Sequence, residues 1–264
     1  MLGNKKSEAL LANIRNGLPM SQNEKLKLIV SLSIPSILAQ ITTVMMFFID
    51  ASMVGHLGAE ASASIGLVES TTWLMGSVMS AASMGFSVQV SHFIGANDFF
   101  KARQVFRHGL LCGLAFSLII AAIGTSIHSV LPLWLGGGND INHDASQYYL
   151  VFSLTMPFIL LFHLSASMIK CSGNMQLPSL MSVLLCVLDV IFNYLFIYIL
   201  HLGVVGAAIG TSMAYISTSL PIAWMATRRN RILALQLDNV PFKWVWVYVT
   251  KAIRISLPMA IQSV

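Results

Sequence analysis

Charge is scarce in this sequence. Charged residues make up 9% of the 264-residue chain, against roughly 25% in soluble domains. Apolar residues reach 56% and the mean hydropathy is +0.77. A water-soluble core of this size could not hide so much apolar surface, so lipid must act as solvent for much of it. Cysteine is scarce too. Cys112, Cys171 and Cys186 are odd in number, sit in or beside apolar runs and form no CxxC, which excludes a disulfide framework or a zinc site. The first 27 residues are polar and mixed in charge, without the short apolar run and small-residue cleavage site of a signal peptide.

Catalytic signatures are missing as well. There is no HExxH and no nucleophile elbow. GGGND from Gly136 lacks the strand and lysine of a phosphate cradle. Asp140–Asp144 opens like a calcium loop, but Ala145 stands where glycine is required and Val151 where the closing glutamate is required. The sequence therefore predicts no enzyme, no cofactor and no metal beyond a bound Na⁺.

What is present is a series of apolar runs long enough to cross about 30 Å of hydrocarbon, roughly 20 residues each. They fall at Ile29–Asp50, Ser64–Ser91, His108–Leu135, Tyr148–Ile169, Leu177–Leu200 and Val204–Ala226. The expected fold is all-α, a polytopic bundle of six membrane helices. The second run is rich in Ser, Ala and Gly, which suits close helix packing inside a bundle better than a lipid face. Pro35, Pro157, Pro178 and Pro221 lie in or at the starts of spans; proline removes a backbone hydrogen bond and permits bending.

The 15 basic residues are one-sided. Lys5, Lys6, Arg15, Lys25 and Lys27 precede span one. Lys101, Arg103 and Arg107 lie between spans two and three, and Lys170 between four and five. Arg228, Arg229, Arg231, Lys243, Lys251 and Arg254 follow span six. The opposite loops, Gly55–Ala63, Gly136–Ser146 and His201–Gly203, carry none. The positive-inside rule then predicts a multi-pass protein of the inner or plasma membrane with a cytoplasmic N-terminus. The net charge of +5 is an orientation signal and calls for no nucleic-acid partner. Residues 240–251 (VPFKWVWVYVTK) alternate Trp and Tyr with apolar residues, which predicts a segment along the cytoplasmic interface, with a plain connecting loop as the alternative.

LSIPSILAQI (Leu32–Ile41) has an echo in ISLPMAIQSV (Ile255–Val264). Each places proline after a Ser-apolar pair, and Gln follows Pro35 at five residues (Gln40) and Pro258 at four (Gln262). Tandem six-span halves are a recurring transporter design. The expected organisation is a cytoplasmic tail at 1–28, a six-span lobe at 29–227, an inter-lobe linker at 228–252 and the start of a second lobe at 253–264.

Asp50, Asp189 and Glu69 stand within or at the edge of spans, away from every basic side chain. A bare carboxylate at membrane depth costs several kcal/mol, so it is neutralised, binds a cation or faces water. Asp189 and Asn193 share one helix face by i, i+4 spacing. Asp50 and Thr211 fall at similar depth on other spans. Together they make an all-oxygen set suited to H⁺ or Na⁺. The competing reading is that Asp50 ends its helix, and that Asp189, Asn193 and Thr211 join helices by hydrogen bonds. Pro35 and Glu69 are candidate hinge and cavity residues.

The chain resembles the MATE (multidrug and toxic compound extrusion) family over essentially its whole length. Pro35 followed by FFIDASMVGHLG (Phe47–Gly58), SHFIGANDFFKAR (Ser91–Arg103), KCSGNMQLP (Lys170–Pro178), DVIFNYLFI (Asp189–Ile197) and GVVGAAIGT (Gly203–Thr211) resemble successive family segments, in order. The resemblance implies an antiporter exporting small organic, often cationic compounds in exchange for Na⁺ or H⁺, built from two six-helix lobes of which this is the first. It also implies a cation site at Asp50, Asp189, Asn193 and Thr211. The helix-five pair stands in the opposite order from the family's, with Asp first. A lipid-linked oligosaccharide flippase of related architecture is the alternative; such proteins tend to carry basic residues in the cavity, which this lobe lacks.

Overall fold

A computed structural model describes residues 10–14, 16, 19–237 and 243–262. Its elements are helices α1 (Gln22–Gly55), α2 (Ala59–Gly95), α3 (Phe99–Ile127), the short α4 (Leu131–Trp134), α5 (Asn139–Cys171), α6 (Gln176–Tyr194), α7 (Gly203–Trp224) and α8 (Trp246–Gln262). Helices α6 and α7 each run on into a π turn, at Leu195–Ile199 and Met225–Arg229.

Among the described residues five helices are long and apolar enough to cross a membrane: α1, α3, α5, α6 and α7. The sixth span is α2. Its 37 residues extend about 56 Å at 1.5 Å per residue, ample for a crossing, but its Ser, Ala and Gly lower its hydropathy. Packing explains why. It lies against α5, α8 and α3, and Ser64, Thr72, Ser83 and Ser87 are buried with their hydroxyls bonded back to carbonyls of their own helix. In α5 the residues Ala145, Tyr149, Ser153, Met156, Leu160, Leu164 and Met168 are all buried. Their spacing of three and four makes one continuous stripe, on which α2, α3 and α7 converge.

Helix starts and stops follow local chemistry. Ser21 and Glu24 form a capping box that starts α1 at Gln22, seven residues before the span read at Ile29. In the Gly-Ala-x-Asp segment Asn97 adopts φ 57° and Asp98 accepts the Lys101 N–H, so α3 begins at Phe99. The Lys101 ammonium, 2.7 Å from Asp98 Oδ2, holds that carboxyl below its usual range. The span expected at His108–Leu135 therefore starts earlier. It also stops earlier, at Ile127, because Pro132 lacks the N–H to continue the ladder and instead opens α4. The loop expected at Gly136–Ser146 shrinks to three glycines. The polar stretch from Asn139 contains no helix breaker and forms the first turns of α5. Between α5 and α6, Gly173 takes φ 92°, a region open to glycine, and Asn174 Oδ1 accepts the Leu177 N–H.

The basic segments gather at one end of the bundle. Arg103 and Arg107 on α3 donate to the Ile232 and Leu235 carbonyls, and Asn230 donates to Ser172 at 2.9 Å. Helix α8 docks at this end and starts at Trp246, inside the stretch read as linker. The Val245 N–H donates to His108 Nε2 at 2.9 Å, which requires the tautomer whose Nδ1–H donates to the Gln104 carbonyl. Trp244 and Tyr248 pack on the same imidazole. Residues 1–9, 15, 17 and 18 of the N-terminal tail, 238–242 of the linker with the start of its aromatic segment, and 263–264 at the expected second lobe lie outside the described residues.

Helix α7 approaches α6 closely at Gly206, where a Cβ would collide with the Phe196 carbonyl. Gly206→Val should therefore lower stability by about 1–3 kcal/mol in thermal unfolding of the detergent-solubilised protein. Gly76→Val, at a helix position with open space around it, should change the midpoint far less.

Candidate cation-coupling site

Helices α1 and α6 run side by side, and the site lies between them with α7 behind. Asn193 sits at its centre. Its amide nitrogen donates to Asp50 Oδ1 at 2.9 Å across the interface and to Asp189 Oδ2 at 3.1 Å one turn away on its own helix. Asp189 and Asn193 are 0% and 1% exposed, while Asp50 is half-buried. Neither carboxylate pairs with a basic side chain among the described residues. Two buried acceptors, Asp189 Oδ1 and Asn193 Oδ1, have no hydrogen-bond partner there. Buried oxygens are rarely left so. Two carboxylates gathered about one amide nitrogen supply acidic oxygens of the kind that take a proton or a hard monovalent ion.

The sequence-predicted residues divide cleanly. Asp50, Asp189 and Asn193 are brought into direct contact, and the half-buried Thr211 of α7 lies beside the Asp189 carboxylate. Pro35 is elsewhere. It lies 15 residues back along α1, about 22 Å at 1.5 Å per residue, in an unbroken helix, and its carbonyl accepts the Ser179 hydroxyl. Glu69 is exposed on α2 and takes no part in the Asn193 contacts; it shares with Asp50 and Asp189 only electrostatic range of Tyr148 on α5.

Sequence reasoning missed four neighbours. Tyr148 and Tyr215 both lie within electrostatic range of Asp50 and Asp189. Tyr215 follows Thr211 by four residues on one face of α7, a legible spacing, whereas nothing in the sequence marks Tyr148. Tyr198 donates to the Met53 carbonyl at 2.8 Å. Gly210, part of a small-xxx-small pattern with Gly206, packs flat on Asn193: a Cβ there would collide with the amide oxygen and the Asn193 backbone. Only a residue without a side chain fits against Asn193 there.

This pairing of two carboxylates through one amide sits within the stretch, residues 35–195, matched by the sequence model of the family described as MatE. The chain belongs to the MatE family. Among its curated relatives are a probable multidrug resistance protein NorM of Thermotoga maritima, 22% identical over 255 residues covering 94% of this chain and 54% of that one, and the multidrug export protein MepA of Staphylococcus saprophyticus, 23% identical over 236 residues covering 88% and 51%. This MatE chain thus spans about half the length of the curated relatives it matches. Solved structures agree in fold. An outward-facing multidrug resistance MATE family transporter of the MOP superfamily superposes with a TM-score of 0.84 at 24% identity, over 90% of this chain and 52% of that one. A MATE crystal structure in the bent conformation gives a TM-score of 0.83 at 25% identity, over 97% and 55%. The architecture is that of a single lobe of such a transporter.

Gly210→Ala should displace the Asn193 amide from its present contacts, because a Cβ at 210 would overlap Asn193 Oδ1 and the Asn193 backbone. In a double-mutant cycle with Asn193→Ala, read by thermal unfolding, the two should be non-additive by about 0.5–3 kcal/mol, because the alanine at 193 removes the amide that the new methyl would strike.

Proposed function

We propose that this MatE chain forms the ion-coupling lobe of a membrane exporter that expels small organic, often cationic compounds in exchange for inward Na⁺ or H⁺. The observation that carries the reading is Asn193 holding Asp50 and Asp189 together, with unpartnered oxygens beside it and no cationic side chain among the described residues paired with either acid. The relatives named for multidrug resistance and export support the substrate class. By the positive-inside rule the basic end is cytoplasmic, which puts the carboxylates in the outer half of the membrane.

The coupling follows from how α1 is held. Among its 34 residues only Leu28, Met46 and Val54 are buried, and Phe48 is 74% exposed. It packs chiefly against α6. Three cross-helix hydrogen bonds join the two: Ser179 to the Pro35 carbonyl, Asn193 to Asp50 and Tyr198 to the Met53 carbonyl. Two of these acceptors are backbone carbonyls, which are uncharged and do not titrate. The third is a carboxylate. A proton or Na⁺ arriving at Asp50 and Asp189 competes with the Asn193 amide for their oxygens. The contact that places α1 then depends on cation occupancy. Pro35 leaves the ladder one N–H short and gives α1 a place to bend in response. Bending narrows the cavity and releases the organic compound, so ion and substrate compete through one helix.

In the intact transporter, at equal membrane abundance, Asp189→Asn should abolish ion-driven efflux of a fluorescent organic cation such as ethidium, with a loss of at least about tenfold, the scale of one charged group's coupling contribution. Efflux at the wild-type rate would make Asp189 structural and overturn the reading. Parallel assays in reconstituted vesicles under a Na⁺ gradient or a pH gradient identify the coupling ion.

A further inference from the structure

The three rungs between α1 and α6 have a register that carries a second conclusion. Two parallel α-helices rise equally, 1.5 Å per residue, so successive contacts should advance by equal numbers of residues on each. From Pro35 to Asp50 is 15 residues on α1, and from Ser179 to Asn193 is 14 on α6. The third rung breaks the match. Asp50 to Met53 is three residues, but Asn193 to Tyr198 is five. In an uninterrupted α-helix, residues five apart point about 140° away from one another, so Tyr198 would face away from α1.

The π turn at Leu195–Ile199 removes the conflict. The Leu200 N–H bonds to the Leu195 carbonyl, five residues back, so the turn holds an additional residue and each residue turns through less than 100°. Tyr198 swings back to the face that carries Asn193. Its hydroxyl reaches the Met53 carbonyl at 2.8 Å, while Val54 packs with Ile197 and Ala207. The outer end of α1 is thus fixed three residues from Asp50. Between Pro35 and Asp50, by contrast, only Met46 is buried.

We infer that Tyr198, aimed by this π turn, is a positioning residue for cation binding: it holds the outer end of α1 so that Asp50 stays within reach of Asn193 and Asp189. The inference rests on the exchange reading above. Tyr198 touches neither carboxylate. It sets the distance between them, and with it the affinity of the site, without taking part in the chemistry of the bound ion.

The test uses the intact transporter in vesicles, with ethidium efflux measured across a series of coupling-cation concentrations. Tyr198→Phe keeps the ring and removes only the hydroxyl. The half-saturating cation concentration should rise about three- to tenfold, the scale of one net hydrogen bond, with the maximal rate preserved within about twofold on the same scale. Amide hydrogen exchange across residues 50–57 should accelerate at the same time. An unchanged half-saturation, or a fall in maximal rate alone, overturns the role of Tyr198. Asp189→Asn assayed alongside separates the two conclusions. If it abolishes ion dependence while Tyr198→Phe leaves half-saturation unchanged, only the positioning role fails. If ion dependence survives it, the exchange reading fails and the positioning role falls with it.

Discussion

An amide nitrogen carries two N–H groups, and at Asn193 both are directed at carboxylates, one on its own helix and one on α1. The arrangement places two acidic groups closer than like charges would settle by themselves in a poorly solvated interface. Each of them accepts an N–H from that one amide, which offsets part of the cost of the pairing. Much of the lobe serves that contact. Helix α6 spaces Asp189 and Asn193 by one turn, and α7 comes near enough through Gly206 and Gly210 to back the amide. The stripe on α5 from Ala145 to Met168 gives α7 a firm surface to lean on.

The lobe grades from rigid to loose across its width. At one side α5 collects α2, α3 and α7 into a packed unit of interlocking methionine, leucine and aromatic side chains. At the other, α1 hangs on α6 and presents Ile34, Ile37, Leu38, Ile41 and Phe48 outward. Lipid tails are as apolar as those side chains, so burying them against protein would gain little. Directed hydrogen bonds therefore weigh heavily in fixing α1. A helix held in this way can change its placement without disturbing the packed unit behind it.

Much of this was legible in the sequence because membranes impose simple rules. Length and hydropathy located α1, α5, α6 and α7, and the Ser/Ala/Gly content of α2 announced an interior helix. The absence of basic residues around Asp50 and Asp189 singled out those acids, and i, i+4 spacing joined Asp189 to Asn193. The parts that escaped depend on contacts between distant segments or on departures from α-helical periodicity. Nothing local says that Gly210 faces Asn193. Tyr198 sits five residues from Asn193, a separation that periodic reasoning assigns to the opposite face until the π turn is seen. Pro35 stood out on its helix, but its chemistry is backbone chemistry and its partner Ser179 lies 144 residues away. The ends of α3 were misjudged because polar residues that leave the bilayer can remain helical, while Pro132 ended an apolar run that hydropathy alone would have continued.

The modest hydropathy of α2 also bears on how the chain enters the membrane. Partitioning into lipid is decided segment by segment, and a helix rich in serine and glycine gains little from hydrocarbon contact. Of the six spans α2 is therefore the least able to integrate unaided. Its stable residence waits for α3 and α5 to be made, since α2 packs along both of them. The feature that makes α2 a good interior helix thus makes its insertion a cooperative step of biogenesis, completed only once the later helices it packs against have been made.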